Sequence, residues 1–250
     1  MEKKEEKQYK FGLVGKNISY SFSRGYFSDK FKNMGLDNYS YVNFDLENIE
    51  EFSKIIQKPK AIHGFNVTIP YKEAIIPFLN NLDADAKKIG AVNTIKITPE
   101  GLKGFNTDTY GFKHTILPHL QKHHTKALIL GTGGASKAVA FVFKELGIAY
   151  TFVSRNSGEN KLSYQELTKT VLQEYTVIVN CTPLGTHPNI TEKPALPYNH
   201  ITKEHLLFDL IYNPEKTAFL LAGKAQGASI CNGQKMLELQ AEKSWEIWNS

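Results

Sequence analysis

A glycine-rich turn in the second half of the chain is the first stretch whose residue types point to chemistry. The apolar run ALIL leads into GTGGAS, and an apolar helical pattern follows. The small residues of this turn are Gly131, Gly133, Gly134 and Ala135. Glycines let backbone N–H groups approach a pyrophosphate, and a helix N-terminus favours negative charge. The order strand, turn, helix is typical of a dinucleotide site, although Ser136 replaces the usual third glycine. A plain tight turn is the alternative.

The next predicted strand ends in an arginine, which bears on the choice of cofactor. YTFVS ends at Ser154 and is followed by Arg155, one of two arginines in the chain. An NAD site usually has Asp or Glu here for the ribose hydroxyls, whereas an NADP site tends to have Arg near the 2′-phosphate. A guanidinium can hold a phosphate through two parallel hydrogen bonds. The sequence therefore favours NADP over NAD, with a solvated surface arginine as the alternative.

Polar residues interrupt the first half of the chain at places where strands are expected to end. Ser21 and Ser23 alternate just after a predicted strand. Asn93 interrupts AVNTIKI, and Asp108 follows the stretch GLKGFNT. Hydroxyl, amide and carboxylate groups at strand ends facing a cleft are candidates for binding a polyol. Each residue alone is equally typical of a turn or a helix cap.

The stretch GFNVTIPYKE places Lys72 two residues after a proline and directly behind a strand-like run. A lysine ammonium can donate a proton to a developing alkoxide, and the neutral amine can accept one in the reverse reaction. The base rate for a lone lysine nevertheless favours a solvated side chain.

Histidines and cysteines show no spacing typical of metal ligands, so no metal site is predicted. Histidines 114, 119, 123 and 124 cluster without a neighbouring carboxylate, which favours a solvated helix end. Cys181 and Cys231 lie in apolar, strand-like surroundings and are interpreted as two reduced core thiols.

Composition is that of a soluble globular protein of one large or two ordinary domains. The chain has 250 residues, 41% hydrophobic and 22% charged, with a net charge of +5. A nucleic-acid partner is not favoured, because the lysines are spread without a basic run. A mildly positive surface suits small anions instead. The leader MEKKEEKQYK has no apolar core and no membrane-spanning run follows, so a cytoplasmic protein without a membrane partner is expected.

The elements that must position these residues alternate between short apolar runs and helical stretches, which predicts α/β architecture. In the first half, strands are expected at YKFGLVG, YSYVNFD, AIHGFNVTI and AVNTIKI, and helices near 23–34, 49–57, 72–79 and 84–89. The second half opens with a β-α-β unit and closes with an amphipathic helix over 234–248. A domain boundary is expected near 107–111.

Taken together, the motifs of this chain resemble those of the shikimate dehydrogenase family. GKNISYSFSR, NVTIPYK, AVNT, GFNTD, GTGGA, SRN, DLIYNP and GQKMLELQ occur in the family's order, and the likeness spans roughly residues 11 to 248. Four places depart from the family pattern. Asn17 and Arg24 stand where the family has prolines, SRN replaces its NRT, and NCTPLGTHP differs from its N-A-T-S-x-G-M. These departures affect the expected loop shape more than the expected activity.

The resemblance implies an α/β substrate-binding domain over 1–107, completed by a helix over 234–250, and a doubly wound, Rossmann-type NADP-binding domain over 108–233, with a cleft between them. It implies reversible NADPH-dependent reduction of 3-dehydroshikimate to shikimate in aromatic amino acid (chorismate) biosynthesis, by a monomer or homodimer. Lys72 and Asp108 fall on the catalytic positions. Substrate binding falls on Ser21, Ser23, Asn66, Thr68, Asn93, Tyr212 and Gln240. Cofactor binding falls on Gly131, Gly133, Gly134, Ala135, Ser154 and Arg155, with Leu210 and Gly233 beside the nicotinamide.

Two other functions fit the same architecture. One is a quinate or shikimate dehydrogenase that uses NAD, which the serine pair and Arg155 disfavour. The other is a non-catalytic regulator that binds NADP or shikimate. Retention of both Lys72 and Asp108 disfavours it.

Overall fold

The chain forms two units, each built around its own six-stranded sheet. The computed structural model describes residues 7–19, 21–57 and 62–250. The N-terminal unit comprises Met1–Thr107 and Ala241–Ser250, and the C-terminal unit comprises Asp108–Gln240. Among the described residues, no helix is long and apolar enough to cross a bilayer.

The N-terminal unit has a mixed sheet with the strand order β2-β1-β3-β5-β6-β4. Its strands are β1 (Tyr9–Gly15), β2 (Tyr39–Asp45), β3 (Ile62–Val67), β4 (Asn81–Leu82), β5 (Thr94–Thr98) and β6 (Gly101–Phe105), and its helices are α1 (Phe22–Asn33), α2 (Phe52–Ile56) and α3 (Ala84–Ile89). Strand β1 runs parallel to both of its neighbours, β2 and β3, and β5 is antiparallel to β3 and β6. The loops that follow β1 and β3 therefore leave the sheet at the same edge, where the backbone N–H of Lys16 donates to the carbonyl of Ile69.

The C-terminal unit is a parallel, doubly wound sheet with the order β12-β11-β10-β7-β8-β9. Its strands are β7 (Lys126–Leu130), β8 (Ala149–Ser154), β9 (Lys161–Ser163), β10 (Val177–Asn180), β11 (Leu206–Asp209) and β12 (Ser229–Cys231), and its helices are α4 (Asp108–Ile116), α5 (Gly134–Glu145), α6 (Lys169–Glu174) and α7 (Ala218–Ala225). Buried Val, Ile, Leu and Phe side chains fill both sides of the sheet. The strand order reverses between β7 and β10, and the carboxyl edge at such a reversal is where ligands of this fold class bind. The predicted α/β class with a Rossmann-type half is confirmed.

The last helix, α8 (Gln234–Asn249), contributes residues to both units. In the N-terminal unit it ends against β3, where a Cβ on Gly64 would lie 2.3 Å from Nε1 of Trp248. That indole nitrogen donates to the carbonyl of Ile95 on β5 at 3.0 Å. Glycine at position 64 is therefore what allows the helix to pack onto the sheet.

Some sequence expectations differ from the structure. No α-helix covers 72–79, because Pro77 has no N–H to donate to the carbonyl of Glu73; the stretch forms turns and one 3₁₀ segment, Ile76–Phe78. Three short elements, β4, β9 and α6, were not expected, since elements of two to six residues carry little periodicity. Ala61, in the expected third strand, lies outside the described residues.

The histidine cluster is only partly a solvated helix end. His124 is 5% exposed, and its two ring nitrogens lie at hydrogen-bond distance from the backbone N–H of Gln121 and the carbonyl of Glu204. The expectation of solvation is therefore wrong for His124. In the part of the chain that the structure describes, no group of three or more His, Cys, Asp or Glu side chains is arranged to hold a metal ion.

Candidate active site

Asn66, at the carboxyl end of β3, is the centre of a buried polar network in the N-terminal unit. Its side chain is 6% exposed. The amide oxygen accepts from the Tyr41 hydroxyl at 2.8 Å, and Nδ2 donates to the Ser244 hydroxyl at 2.9 Å. Nδ2 also lies 3.2 Å from the carbonyl of Asn93 and from Oγ1 of Thr94. These bonds fix which way the amide faces, so the end of β3 presents a rigid polar surface.

The second asparagine of this network, Asn93, holds the end of β6 in place. Its Oδ1 accepts from the backbone N–H of Thr107 at 2.7 Å and from the Thr107 hydroxyl at 3.2 Å. Oγ1 of Thr94 lies 2.7 Å from the Ser244 hydroxyl, which joins helix α8 to the same network. Hydroxyl and amide groups thus accumulate at one place in an otherwise apolar core.

The serine pair connects to this network through Tyr41. Ser21 precedes α1, and Ser23 lies in the first turn of that helix, so the two do not alternate on an extended loop as their spacing suggested. Burial raises the pKa of the Tyr41 phenol, and a hydrogen bond from the Ser23 hydroxyl offsets part of that rise. Because Tyr41 also donates to Asn66, the chain Ser23, Tyr41, Asn66 links two predicted substrate-binding residues.

Lys72 lies in the turns that follow β3 and is half-buried. Its carbonyl accepts from the backbone N–H of Val92 at 2.7 Å. The preceding residue, Tyr71, donates its hydroxyl to the carbonyl of Leu46 at 2.7 Å, and its N–H donates to the carbonyl of Thr68. Hydrogen bonds therefore fix the backbone at Lys72 and at the residue before it, which limits where the long, flexible side chain can reach.

Gln240 lies against the first turn of α4, the helix that Asp108 begins, within the C-terminal unit. Asp108 is the first residue of α4 and is 1% exposed. One turn later, a Cβ on Gly111 would lie 2.4 Å from the carbonyl of Met236 and 3.3 Å from Cβ of Gln240. The absence of a side chain at Gly111 therefore lets α8 approach α4 beside Asp108.

Asp108 lies within electrostatic reach of Cys181, the residue that follows β10. Burial raises the pKa of the Cys181 thiol well above its usual value, and the negative charges of Asp209 and Asp108 raise it further. The two carboxylates therefore lie within electrostatic reach of one thiol. Cys181 and Cys231 are both unpaired.

The glycine turn has the geometry of a dinucleotide loop. Gly131 has φ +101°, in the region that favours glycine, and its N–H donates to the carbonyl of Val153 at the end of β8. Gly133 caps α5, Gly134 and Ala135 begin the helix, and a Cβ on Gly133 would meet no atom within 4 Å. Open space thus lies over the N-terminus of a twelve-residue helix, which fits the pyrophosphate of a dinucleotide.

Ser136, at the position of the missing third glycine, is fully buried. Its hydroxyl donates to the carbonyl of Gly133 at 2.6 Å. The substitution is therefore accommodated inside the turn. Ser154 and Arg155 follow at the end of β8, the strand next to β7, and Arg155 is exposed. Its guanidinium is therefore open to solvent at the same edge of the sheet as the glycine turn.

Leu210 and Gly233 pack directly against each other. A Cβ on Gly233 would lie 2.1 Å from the carbonyl oxygen of Leu210, and the N–H of Gly233 donates to the carbonyl of Ile211 at 3.1 Å. Tyr212 follows in the same loop and is half-buried. This loop leaves the carboxyl edge of β11, two strands from the glycine turn.

The structure thus forms two groups of predicted residues, one in each unit. Ser23, Asn66 and Asn93 share one hydrogen-bond network. The carbonyl of Thr68 accepts from the N–H of Tyr71, the residue before Lys72. Sequence reasoning missed four members of that network: Tyr41, Thr94, Thr107 and Ser244. A hydroxyl residue at an otherwise apolar strand or helix position was the available signal.

Known proteins are similar to this chain in sequence and in fold over nearly their whole length. A family model described as shikimate dehydrogenase substrate binding domain matches residues 13–95. A protein named shikimate dehydrogenase (NADP(+)) from Clostridium botulinum is 38% identical over 250 residues, covering 96% of each chain. The crystal structure of shikimate dehydrogenase 1 from Peptoclostridium difficile is 37% identical with a TM-score of 0.84, covering 97% of this chain and 92% of that one.

A solved structure with bound ligands is also similar to this chain. The enzyme named shikimate 5-dehydrogenase from Thermus thermophilus, in complex with NADP(H) and shikimate, is 29% identical with a TM-score of 0.84 and covers 96% of this chain and 93% of that one. With two sheets of matching architecture and a sequence identity well above 30% over almost the full length, this chain belongs to the shikimate dehydrogenase family.

Proposed function

We propose that this protein catalyses the reversible NADPH-dependent reduction of 3-dehydroshikimate to shikimate, a step of aromatic amino acid biosynthesis. The observation that carries the proposal is the position of Lys72, which is half-buried in the turn after β3. Asn66, near the end of that strand, belongs to a buried network of amide and hydroxyl groups. A proton-carrying side chain beside groups that bind hydroxyls is what the reduction of a ketone on a polyol ring requires. The family relationship supplies the substrate class.

In this proposal the N-terminal unit binds the substrate. The Ser21 and Ser23 hydroxyls are assigned to its carboxylate, and Ser23 turns its single O–H from Tyr41 to that carboxylate when the substrate binds. Its hydroxyl groups bond to Asn66, Thr68 and Asn93. Gln240 and Tyr212, which the family resemblance assigns to the same ligand, belong to the C-terminal unit. The rigid hydrogen bonds of Asn66 and Asn93 support this assignment, because a fixed amide loses little conformational entropy when a ligand binds.

The cofactor is assigned to the C-terminal unit. Gly131, Gly133, Gly134 and Ala135 leave room for a pyrophosphate at the start of α5, and Ser154 and Arg155 end the adjacent strand. An arginine, and no carboxylate, at the end of β8 favours a 2′-phosphate over a free ribose hydroxyl. Leu210 and Gly233 form the surface assigned to the nicotinamide.

The chemistry that NADPH supplies is hydride transfer to the C3 carbonyl carbon of the substrate. Negative charge then develops on the carbonyl oxygen, and the Lys72 ammonium donates the proton that neutralises it. In the reverse direction the neutral amine of Lys72 accepts that proton. Asp108, the second residue that the family resemblance assigns to catalysis, accepts a hydrogen bond from a substrate hydroxyl. General acid catalysis of this kind contributes about 10² to 10⁴ in rate.

Two further properties complete the proposal. The unpaired Cys181 and Cys231 suit the reducing cytoplasm as the site of action. The chemistry needs no macromolecular partner and no nucleic acid, so a monomer or a homodimer suffices.

The test is a steady-state assay of the purified protein. Formation of NADPH from shikimate and NADP⁺ is followed by absorbance, with quinate in place of shikimate and NAD⁺ in place of NADP⁺ as controls. The proposal predicts the highest kcat/KM for the pair shikimate and NADP⁺. Higher kcat/KM with quinate or NAD⁺ would assign the protein to the alternative dehydrogenase, and no turnover with any pair would reject an enzymatic function.

A further inference from the structure

The β11–α7 loop (residues 210–217) carries Leu210 and Tyr212 and begins directly after a buried carboxylate. Asp209, the last residue of β11, has a side chain that is 0% exposed. A buried carboxylate is costly unless its oxygens accept hydrogen bonds. No step of the proposed reaction uses Asp209, so its burial needs another reason.

The carboxylate bonds to both ends of this loop. Oδ2 accepts from the Thr217 hydroxyl at 2.6 Å, at the loop's last residue. Oδ1 accepts from the backbone N–H of Ile211 at 3.1 Å, near its first residue. Thr217 also caps α7, because its Oγ1 accepts from the N–H of Leu220. One side chain therefore holds the loop closed at its base and connects it to the helix that follows.

A third bond ties the loop to the neighbouring strand. Nδ2 of Asn180, at the end of β10, donates to Oδ1 of Asp209 at 3.0 Å. Oδ1 of Asn180 accepts from the N–H and the hydroxyl of Thr182, which fixes the orientation of the amide. On its other side the loop lies against Gly233, whose N–H donates to the carbonyl of Ile211. Leu210 and Ile211 are thus held between Asp209 and Gly233.

We propose that Asp209 is a positioning residue for the nicotinamide half of the cofactor: its carboxylate sets the course of the β11–α7 loop and so places Leu210 and Tyr212. This proposal rests on the proposed function. All three partners of Asp209 are hydrogen-bond donors, so both of its side-chain oxygens must act as acceptors. An ionised carboxylate meets this requirement. Burial raises the pKa of Asp209 to about 6, and its bonds to Thr217, Ile211 and Asn180 oppose the rise, which leaves the group ionised at neutral pH.

The test separates the two halves of the cofactor. NADPH contains the nicotinamide, whereas adenosine 2′,5′-bisphosphate contains the adenosine and the 2′-phosphate without it. Dissociation constants for both ligands, and kcat with the KM for NADP⁺ and for shikimate, are measured for Asp209→Asn. We expect about a tenfold or greater rise in the Kd for NADPH, as for a lost hydrogen bond to a buried charged group. We also expect a lower kcat and, because Tyr212 is assigned to the substrate, a higher KM for shikimate, with the Kd for adenosine 2′,5′-bisphosphate unchanged.

A second set of variants covers the case in which Asp209→Asn does not fold. Thr217→Val removes one donor from the carboxylate and should reproduce the selective loss of NADPH affinity, whereas Thr217→Ser keeps the hydroxyl and should restore it. Thr168→Val is the matched control, because Thr168 caps α6 through the same kind of bond, to the N–H of Val171. Its kinetics should equal those of the wild type.

The outcomes are distinguishable. Equal weakening of both ligands in Asp209→Asn or Thr217→Val, or unchanged NADPH affinity in both, overturns the proposal. So does a Thr217→Ser variant as impaired as Thr217→Val. A wild type without shikimate oxidation overturns the proposed function and this proposal with it, whereas an active wild type with unaffected variants overturns this proposal alone.

Discussion

Replacing Tyr41 with phenylalanine removes one hydroxyl from the network of the N-terminal unit and leaves the ring in place. That hydroxyl donates to Oδ1 of Asn66 at 2.8 Å and is bonded by Ser23. The ring of Tyr41 stacks on Phe27 with centroids 4.7 Å apart, and this contact is unaffected by the change. The substitution therefore isolates the polar contribution of Tyr41 from its packing.

The magnitude follows from the burial of the partners. A net hydrogen bond contributes about 1 kcal/mol, and a buried acceptor left without its donor costs about 1–3 kcal/mol. Oδ1 of Asn66 is such an acceptor, so we expect the free energy of unfolding to fall by about 1–2 kcal/mol. Loss of orientation at Ser23 and Asn66 should raise the KM for shikimate about three- to tenfold, since about 1.4 kcal/mol corresponds to a factor of ten.

The assay combines urea unfolding with steady-state kinetics, and Tyr39→Phe is the matched control. Tyr39 lies on the same strand, two residues before Tyr41, and stacks on Tyr9. If Tyr41 acts through Ser23, the effects of Tyr41→Phe and Ser23→Ala on KM should be less than additive in the double variant. A Tyr41→Phe protein that matches Tyr39→Phe in both stability and KM would show that the Tyr41 hydroxyl supports neither the fold nor the substrate site.

Two further predictions concern the C-terminal unit. Arg155→Ala should weaken NADPH binding about tenfold or more, the size expected for a charge-assisted hydrogen bond, and NADH binding much less; equal weakening would show that Arg155 does not bind the 2′-phosphate. Burial lowers the pKa of His124 and of His205, so below pH 6.5 the unfolded chain binds more protons than the folded one, and the free energy of unfolding should decrease as the pH falls. His205→Gln should flatten the pH dependence of urea unfolding between neutral and mildly acidic pH, and an unchanged slope would contradict the assignment.

The C-terminal unit was predictable because its signals are local. ALIL and VIVN are continuous apolar runs of the kind that buried parallel strands require, and the glycine turn lies between one of them and a helix. Arg155 could be placed from the end of the following strand alone. Each of these features needs only a few neighbouring residues, so the sequence contains it in readable form.

The network of the N-terminal unit was not predictable in full because its contacts join distant parts of the chain. Asn66 and Ser244 are 178 positions apart, and Thr94 and Ser244 are 150 positions apart. Local periodicity assigns Tyr41 and Thr94 to strands and Ser244 to a helix face, but it does not show that the three side chains meet. The wrong helix over 72–79 has another cause, since apolar spacing there favours a helix that Pro77 prevents.

Lys72 is proposed to transfer the proton in the shikimate dehydrogenase reaction, and its replacement by methionine removes that proton without changing the cofactor site. The turnover rate with saturating shikimate and NADP⁺ is compared between the wild type and Lys72→Met, with the Kd for NADPH measured for both. Removal of the general acid should lower kcat by about 10² to 10⁴ and leave the Kd for NADPH unchanged. A Lys72→Met enzyme with wild-type kcat would contradict the account.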